Sequence, residues 1–179
     1  MLGKGIVMEE KKNDFKASEI ESISLLDKRT LEAHKDILPN MSKEYWLQGG
    51  SCIIPIKKLD NSIIYGTSYG TDLDTPAGIR PIIEFHDPNR FIFKHRGEVL
   101  NFEGKEWMIV SKNEAICNDF IGNCAYQRTP KLLSAEDKYR YDLSDIKAYT
   151  ENWLNDLKLK EKNEVEKEPE PEYEEIGER

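Results

Sequence analysis

The sequence predicts an α+β fold with a mainly antiparallel sheet, two amphipathic helices and a disordered acidic C-terminal tail. Three observations lead to this expectation. Short apolar runs alternate with turn residues over most of the chain, which is typical of antiparallel strands. Two segments instead carry apolar residues at helical spacing. From about Lys160 onward, Glu, Lys and Pro dominate, and such a composition buries too little apolar surface to fold.

The first elements follow directly from the residue pattern. Residues 1–19 are polar and aperiodic, so we expect a flexible N-terminal segment. Residues 20–26 (IESISLL) alternate like a strand, and Asp27 is placed to cap a helix over residues 28–38. Pro39 then ends this helix because proline lacks the backbone donor that the helix needs.

The middle of the chain predicts a hairpin and a long loop. Residues 52–65 form two apolar arms joined at Asp60-Asn61, and Pro55 in the first arm indicates an edge strand. Residues 66–78 are rich in Gly, Tyr and Asp and are predicted to be a polar loop. GIRPIIEF (78–85) returns to a single strand.

The second half predicts a meander followed by a helix. Three apolar runs between residues 97 and 119 are joined at Glu103-Gly104 and Lys112-Asn113, and residues 122–141 are expected to be irregular. Ser144 is the predicted N-cap of the last helix. We therefore expect one domain over residues 20–157, with halves at 20–86 and 97–157, and a disordered tail over residues 158–179.

Charge is concentrated at the C-terminus. Residues 161–179 contain nine acidic and three basic residues, a net charge of −6 out of −8 for the whole chain. The rest is nearly neutral and has no cluster of Lys and Arg, so we expect no direct nucleic-acid binding. A solvating tail is one interpretation, and imitation of a phosphate backbone is the other.

Three cysteines, an odd number at wide spacing, indicate a reducing compartment and no disulfide framework. No apolar run approaches a membrane span and no signal peptide is evident. We therefore expect a protein of the host cytoplasm or of a virion that does not insert into membranes. The oligomeric state stays open.

Several segments between Ile20 and Asp156 resemble a domain of unknown function that occurs in bacteria and their phages. YWLQGG stands where that family has WWLRSPG, AGIRPII resembles its GVRPAL motif, and FEGKEWMIV and YDLSDIKAYTENWLND resemble later motifs. The resemblance implies a C-type-lectin-like fold, in which the Trp strand and the Arg-Pro strand are scaffold. The loop between them would then be the displayed surface, and Gln48 stands in place of the family's Arg.

We expect the binding residues to be Tyr65, Tyr69, Asp72 and Asp74 of the loop region, together with Gln48. Tyr65 and Tyr69, with Trp46 nearby in the pattern, could offer an aromatic platform to a sugar or peptide. The alternative is that Tyr65 and Trp46 fill the core. For Asp72 and Asp74, capping of loop turns is favoured over calcium coordination.

Four residues are predicted to be structural anchors: Arg80, Trp46, Trp107 and Trp153. Arg80 lies between apolar neighbours, so burial would require carboxylate or carbonyl partners. Its alternative role is that of a ligand anchor. Trp107 and Trp153 are expected to pack together.

The sequence carries no common catalytic motif, and we expect neither a cofactor nor a metal. It predicts a non-catalytic binding protein of phage or prophage type that recognises a protein or glycan partner through the loop. One alternative is an inhibitor of a host defence protein that uses acidic surface as a nucleic-acid mimic. A second alternative is an enzyme in which Cys117 pairs with His86 or His95.

Overall fold

A computed structural model describes residues 12–57, 59–60, 63–68 and 72–167, with the backbone alone for 57, 63–68, 166 and 167. Two five-stranded sheets and two α-helices make up this part of the chain. The predicted α+β class with mainly antiparallel strands is confirmed.

The first sheet is antiparallel throughout. Its strands, numbered in chain order and given in spatial order, are β1 (Ile20–Leu25), β6 (Pro81–Phe85), β9 (Glu114–Cys117), β8 (Lys105–Ile109) and β7 (Val99–Phe102). Its buried face carries much of the main hydrophobic core.

The second sheet is mixed. In spatial order it contains β10 (Gly122–Cys124), β5 (Ala77–Ile79), β2 (Tyr45–Trp46), β3 (Cys52–Lys57) and β4 (Ile63–Ser68). β2 and β5 run parallel, and the other neighbours are antiparallel. The short strand β10 lies in a segment that was predicted to be irregular.

The strand predicted over residues 78–85 is two strands in two different sheets. β5 ends at Ile79, β6 begins at Pro81, and Arg80 between them marks the passage from one sheet to the other. Because Pro81 cannot donate a ladder hydrogen bond, a break here removes less pairing than it would elsewhere. Each sheet thus takes strands from both sequence halves.

Pro55 illustrates how an edge position can lie inside a sheet. β3 pairs with β2 only at Cys52 and Ile53, whereas its pairing with β4 continues past Pro55. At Pro55, therefore, β3 pairs with a neighbouring strand on one side only, as the interpretation of Pro55 as an edge residue requires.

The meander of β7, β8 and β9 has the predicted form. Glu103 and Gly104 join β7 to β8 with φ values of 53° and 71°, the left-handed pair that a tight hairpin requires. Asn13 supports the turn, since its side-chain oxygen accepts from the Glu103 amide at 2.8 Å.

Both helices begin at the predicted caps. The Asp27 carboxylate accepts from the Thr30 amide at 2.7 Å ahead of α1 (Lys28–His34), which is shorter than the helix expected to reach residue 38. The Ser144 hydroxyl accepts from the Lys147 amide at 3.2 Å ahead of α2 (Asp145–Lys167). The described residues also contain four short 3₁₀ turns: Ala17–Glu19, Pro130–Leu132, Asp137–Tyr139 and Tyr141–Leu143.

The N-terminal prediction was wrong for residues 12–19. Phe15 is buried and stacks on Phe102, with ring centroids 4.4 Å apart. Asp14 and Asn101 also exchange backbone and side-chain hydrogen bonds. Phe15 is a single aromatic residue in a polar segment, so no periodic pattern predicts its burial. In the fold it nevertheless fills space that the sheet residues leave open. Residues 1–11 lie outside the described residues.

The predicted tail also begins too early. α2 continues to Lys167, so residues 158–167 are helical, and the expected boundary at 157/158 falls within the helix. The Lys158 ammonium donates to the Ile20 carbonyl at 2.7 Å, and the Glu161 carboxylate accepts from the amides of Ala17 and Ser18. These contacts hold the last turns against the N-terminal segment. Residues 168–179 lie outside the described residues.

Candidate functional site

The loop between β4 and β5 presents two carboxylates on either side of a buried anchor. Asp72 and Asp74 are exposed, whereas Leu73 between them is 6% exposed. The Leu73 carbonyl accepts from the Gln127 amide at 2.9 Å, and the Thr75 amide donates to the Asp72 carbonyl at 3.0 Å. The turn therefore holds both acidic side chains outward. Tyr69 lies outside the described residues.

The Leu73 side chain packs against Gly50, which leaves room for it because glycine has no Cβ. A Cβ at Gly50 would come within 2.9 Å of the Leu73 side chain, and the Gly50 φ of 79° also favours glycine. The turn that carries Gln48, Gly49 and Gly50 consequently lies directly beneath the loop. This close approach explains locally why the chain has glycine at position 50.

An open groove of about 610 Å³ begins where the loop ends. Pro76, at the end of the loop, is part of its wall, and β5, β10 and β3 provide most of the rest. Lys43 and Glu44 lie on the same groove, so apolar and charged groups meet there. Phe120 and Asn123 also line the groove. The sequence does not single them out, because Phe120 lies just after the last predicted strand and Asn123 lies in residues 122–141, which are expected to be irregular.

The Gln48 side chain forms a hydrogen bond to another part of the chain. Its side-chain amide donates to the Leu25 carbonyl at 2.8 Å, and its backbone amide donates to the Leu26 carbonyl at 2.9 Å. Gln48 therefore ties the β2–β3 turn to the end of β1. Gln48 belongs to the turn beneath the loop, and its side-chain nitrogen is already bound to the Leu25 carbonyl.

The aromatic platform is only partly described. Trp46 is fully buried and donates its indole N–H to the Cys124 carbonyl at 3.0 Å, so the core interpretation of Trp46 is confirmed. Its ring lies 5.5 Å from that of Tyr126, centroid to centroid. Tyr65 belongs to β4, but its side chain lies outside the described residues.

Trp107 and Trp153 pack together as predicted. Their rings are stacked with centroids 6.2 Å apart, and Trp107 is fully buried on β8. The Trp107 indole also donates to the Phe102 carbonyl at 3.1 Å. This pair joins α2 to the first sheet.

Arg80 is 1% exposed and its guanidinium contacts neutral acceptors. Nε donates to the Cys117 carbonyl at 2.8 Å, Nη1 to the Tyr45 hydroxyl at 3.3 Å, and Nη2 to the Pro39 carbonyl at 3.3 Å and the Asn118 side-chain oxygen at 3.5 Å. Arg80 therefore ties β9 and the segment after α1 to the junction of the two sheets. Among the described residues, no carboxylate forms an ion pair with it.

Cys117 and Cys124 are poor nucleophiles in their surroundings. Burial raises the pKa of Cys117 to about 12 and that of Cys124 to about 11, so both are protonated thiols at neutral pH. His86 and His95 are exposed, and no hydrogen bond in the described residues joins either ring to Cys117. These surroundings do not favour a Cys117 nucleophile.

In the part of the chain that the structure describes, no cluster of three or more His, Cys, Asp or Glu side chains is arranged to hold a metal ion. None of the helices there has the length and apolar character needed to cross a membrane. The mimicry hypothesis depends largely on residues 168–179, which carry six acidic residues and one basic residue and stay outside the described residues.

The resemblance of Ile20–Asp156 to the phage and bacterial domain stays a prediction. No protein-family model, curated protein or solved structure compared with this chain matches it.

Proposed function

We propose that this chain is a non-catalytic binding protein of phage or prophage type that captures a protein or glycan partner. The proposed contact surface is the Asp72–Asp74 turn together with the adjoining groove. The observation that carries the proposal is the buried Leu73 between two exposed carboxylates. The anchored backbone of this turn has less freedom to lose on binding than the backbone of an unanchored turn.

The chemistry of this surface limits the kind of partner. Exposed carboxylates accept hydrogen bonds from Lys or Arg of a protein, or from the hydroxyls of a sugar. The neighbouring groove adds apolar wall from Pro76 and Ile54. Salt separates the two cases, because contacts between exposed charges weaken as ionic strength rises, whereas sugar hydroxyls carry no charge to screen.

The C-type-lectin-like fold and the phage origin belong to the same proposal. Their support is the set of motifs in the sequence, together with the position of the loop between two strands of the second sheet. Fold likeness alone would not identify a ligand.

The test is affinity capture from bacterial lysate with the full chain and a variant carrying Asp72→Asn and Asp74→Asn. These changes remove charge but keep side-chain size. The control carries Asp156→Asn and Glu164→Gln, two exposed acids on α2 that give the same change in net charge. We expect the loop variant to lose the captured partner at an unchanged melting temperature, and the control to retain it.

Capture that is equal for both variants would reject the loop as the contact surface. A glycan array probed with the same three proteins distinguishes a sugar from a protein partner. Loss of capture together with a lowered melting temperature would show instead that the acidic pair serves folding.

A further inference from the structure

Among the described residues, the buried positive charge of Arg80 is stabilised by neutral hydrogen-bond acceptors and not by a carboxylate. A guanidinium has five N–H donors, and four hydrogen bonds are formed here, all to neutral oxygens. Three of the four are 3.3 to 3.5 Å long, beyond the usual 2.7 to 3.2 Å range for such bonds. The ring of Tyr45, with its centroid 5.4 Å from Cζ, adds a weak attraction. A buried charge without an ionic partner is strongly stabilised when an anion binds beside it.

Arg80 is one of the residues that line a cavity of about 560 Å³ between α1, the segment that follows it, and the second sheet. Leu31, Leu38 and Ile53 supply apolar lining, and Tyr45 and Pro39 bring the groups that Arg80 already contacts. At about 30 Å³ for each water in the liquid, the space is enough for an organic molecule of roughly ten to fifteen non-hydrogen atoms.

The acidic groups on this cavity are engaged elsewhere. Glu32 pairs with Lys35 at 3.1 Å, and Asp36 pairs with Arg96 at 2.7 Å. All four of these side chains are substantially exposed, so they form a rim of mixed charge, and among the described residues no ion pair with Arg80 is formed. A ligand of high negative charge would meet repulsion from the two rim carboxylates, whereas a monoanion would meet less.

We propose that the Arg80 cavity binds a small organic monocarboxylate. One carboxylate oxygen accepts from the second N–H of Nη1, and the other replaces the 3.5 Å contact between Nη2 and the Asn118 side-chain oxygen. An aliphatic or aromatic body packs on Leu31, Leu38 and Ile53. Planar carboxylates match the guanidinium fork, which gives the arrangement its selectivity for this group. This inference uses neither Asp72 nor Asp74 and does not depend on the proposed capture function.

Phenylacetate is a suitable probe, with phenylacetamide as its neutral counterpart of the same shape. We expect phenylacetate to shift the backbone amide resonances of Leu31, Ile53 and Arg80 in ¹H–¹⁵N spectra of the full chain. A dissociation constant on the order of 1 mM is expected, with phenylacetamide weaker by about tenfold. Phenylphosphonate, a dianion at pH 8, is also expected to bind more weakly than phenylacetate.

A blocking variant avoids removal of the buried Arg. Asn40 is exposed and borders the cavity, so Asn40→Phe should obstruct it and weaken phenylacetate binding by about tenfold or more while the protein stays folded. Asn152→Phe, at an exposed position on α2, is the matched control and should bind normally.

Three results would overturn the proposal. They are equal binding of phenylacetate and phenylacetamide, unchanged binding in a folded Asn40→Phe protein, and absence of the named shifts at about 10 mM probe. Tighter binding of phenylphosphonate would overturn the choice of a monocarboxylate.

Discussion

Removal of the Glu161 carboxylate should destabilise the whole domain, although this residue lies in a segment whose composition predicts disorder. Glu161 is half-buried on α2 and accepts from the backbone amides of Ala17 and Ser18, the start of a 3₁₀ turn. Those two donors have no intrahelical acceptor, so the carboxylate acts as a cap supplied from another part of the chain.

The magnitude follows from these two bonds. Buried hydrogen bonds to charged groups contribute about 1.5 to 3 kcal/mol each, and the partial exposure of Glu161 reduces this to about 1 kcal/mol for each of the two bonds. We therefore expect Glu161→Ala to lower the free energy of unfolding by about 2 kcal/mol. For a domain of this size that corresponds to a melting temperature lower by roughly 4 to 8 °C.

The assay is urea and thermal unfolding followed by circular dichroism. Glu164→Ala is the matched control, because it makes the same change at an exposed position three residues further along α2. The control also corrects for the higher helix propensity of Ala. Equal stability of the two variants would refute the capping role of Glu161.

Two truncations extend the same test. A chain that ends at Lys167 should keep its stability within about 0.5 kcal/mol, since no described contact is lost. A chain that ends at Leu157 also loses the bond from Lys158 to the Ile20 carbonyl, and should lose about 3 kcal/mol or more. Similar stability of both truncated chains would contradict the structural role of residues 158–167.

Three further predictions concern a cap, the thiols and an ion pair. Asp27→Ala removes the side-chain acceptor for the first turn of α1 and should cost about 1 kcal/mol in urea unfolding, and an unchanged midpoint would contradict it. Cys117 and Cys124, with pKa values raised to about 12 and about 11 by burial, should resist iodoacetamide at pH 8 until the protein is unfolded, as mass spectrometry would record. The Arg96 guanidinium lowers the pKa of Asp36 to about 2, below its usual value near 3.8. Because the pair is exposed, its contribution to the free energy of unfolding is small. This contribution is present above about pH 4 and is lost as the pH falls toward 2. Asp36→Asn should flatten that part of an acid-unfolding profile, and an unchanged profile would contradict the assignment.

Local interactions were predictable from the sequence. Asp27 and Ser144 cap the two helices where their residue types indicate, because a cap depends on backbone groups only two or three residues away. The Glu103-Gly104 turn follows likewise from a short connection between two alternating runs. Helical spacing was also enough to place Trp153 opposite a strand, and Trp107 proved to be its partner.

The candidate site was predictable only in part. Asp72 and Asp74 are exposed, as expected of acids in a loop rich in glycine. The anchoring of Leu73 was not foreseen, because its partner Gln127 is more than fifty residues away. Gln48 was assigned to binding by its place in a motif, whereas its amide is bound to the Leu25 carbonyl.

By itself the sequence determined most of the strands, where the two helices begin, and that acidic charge collects at the C-terminus. Tertiary structure alone decided how residues 77–85 divide between two sheets at Arg80, and why Phe15 and Glu161 are ordered. The reason is physical. Propensity, periodicity and capping act within a few residues, whereas the burial of Phe15, the cap from Glu161 and the setting of Arg80 depend on groups that only the folded chain brings together.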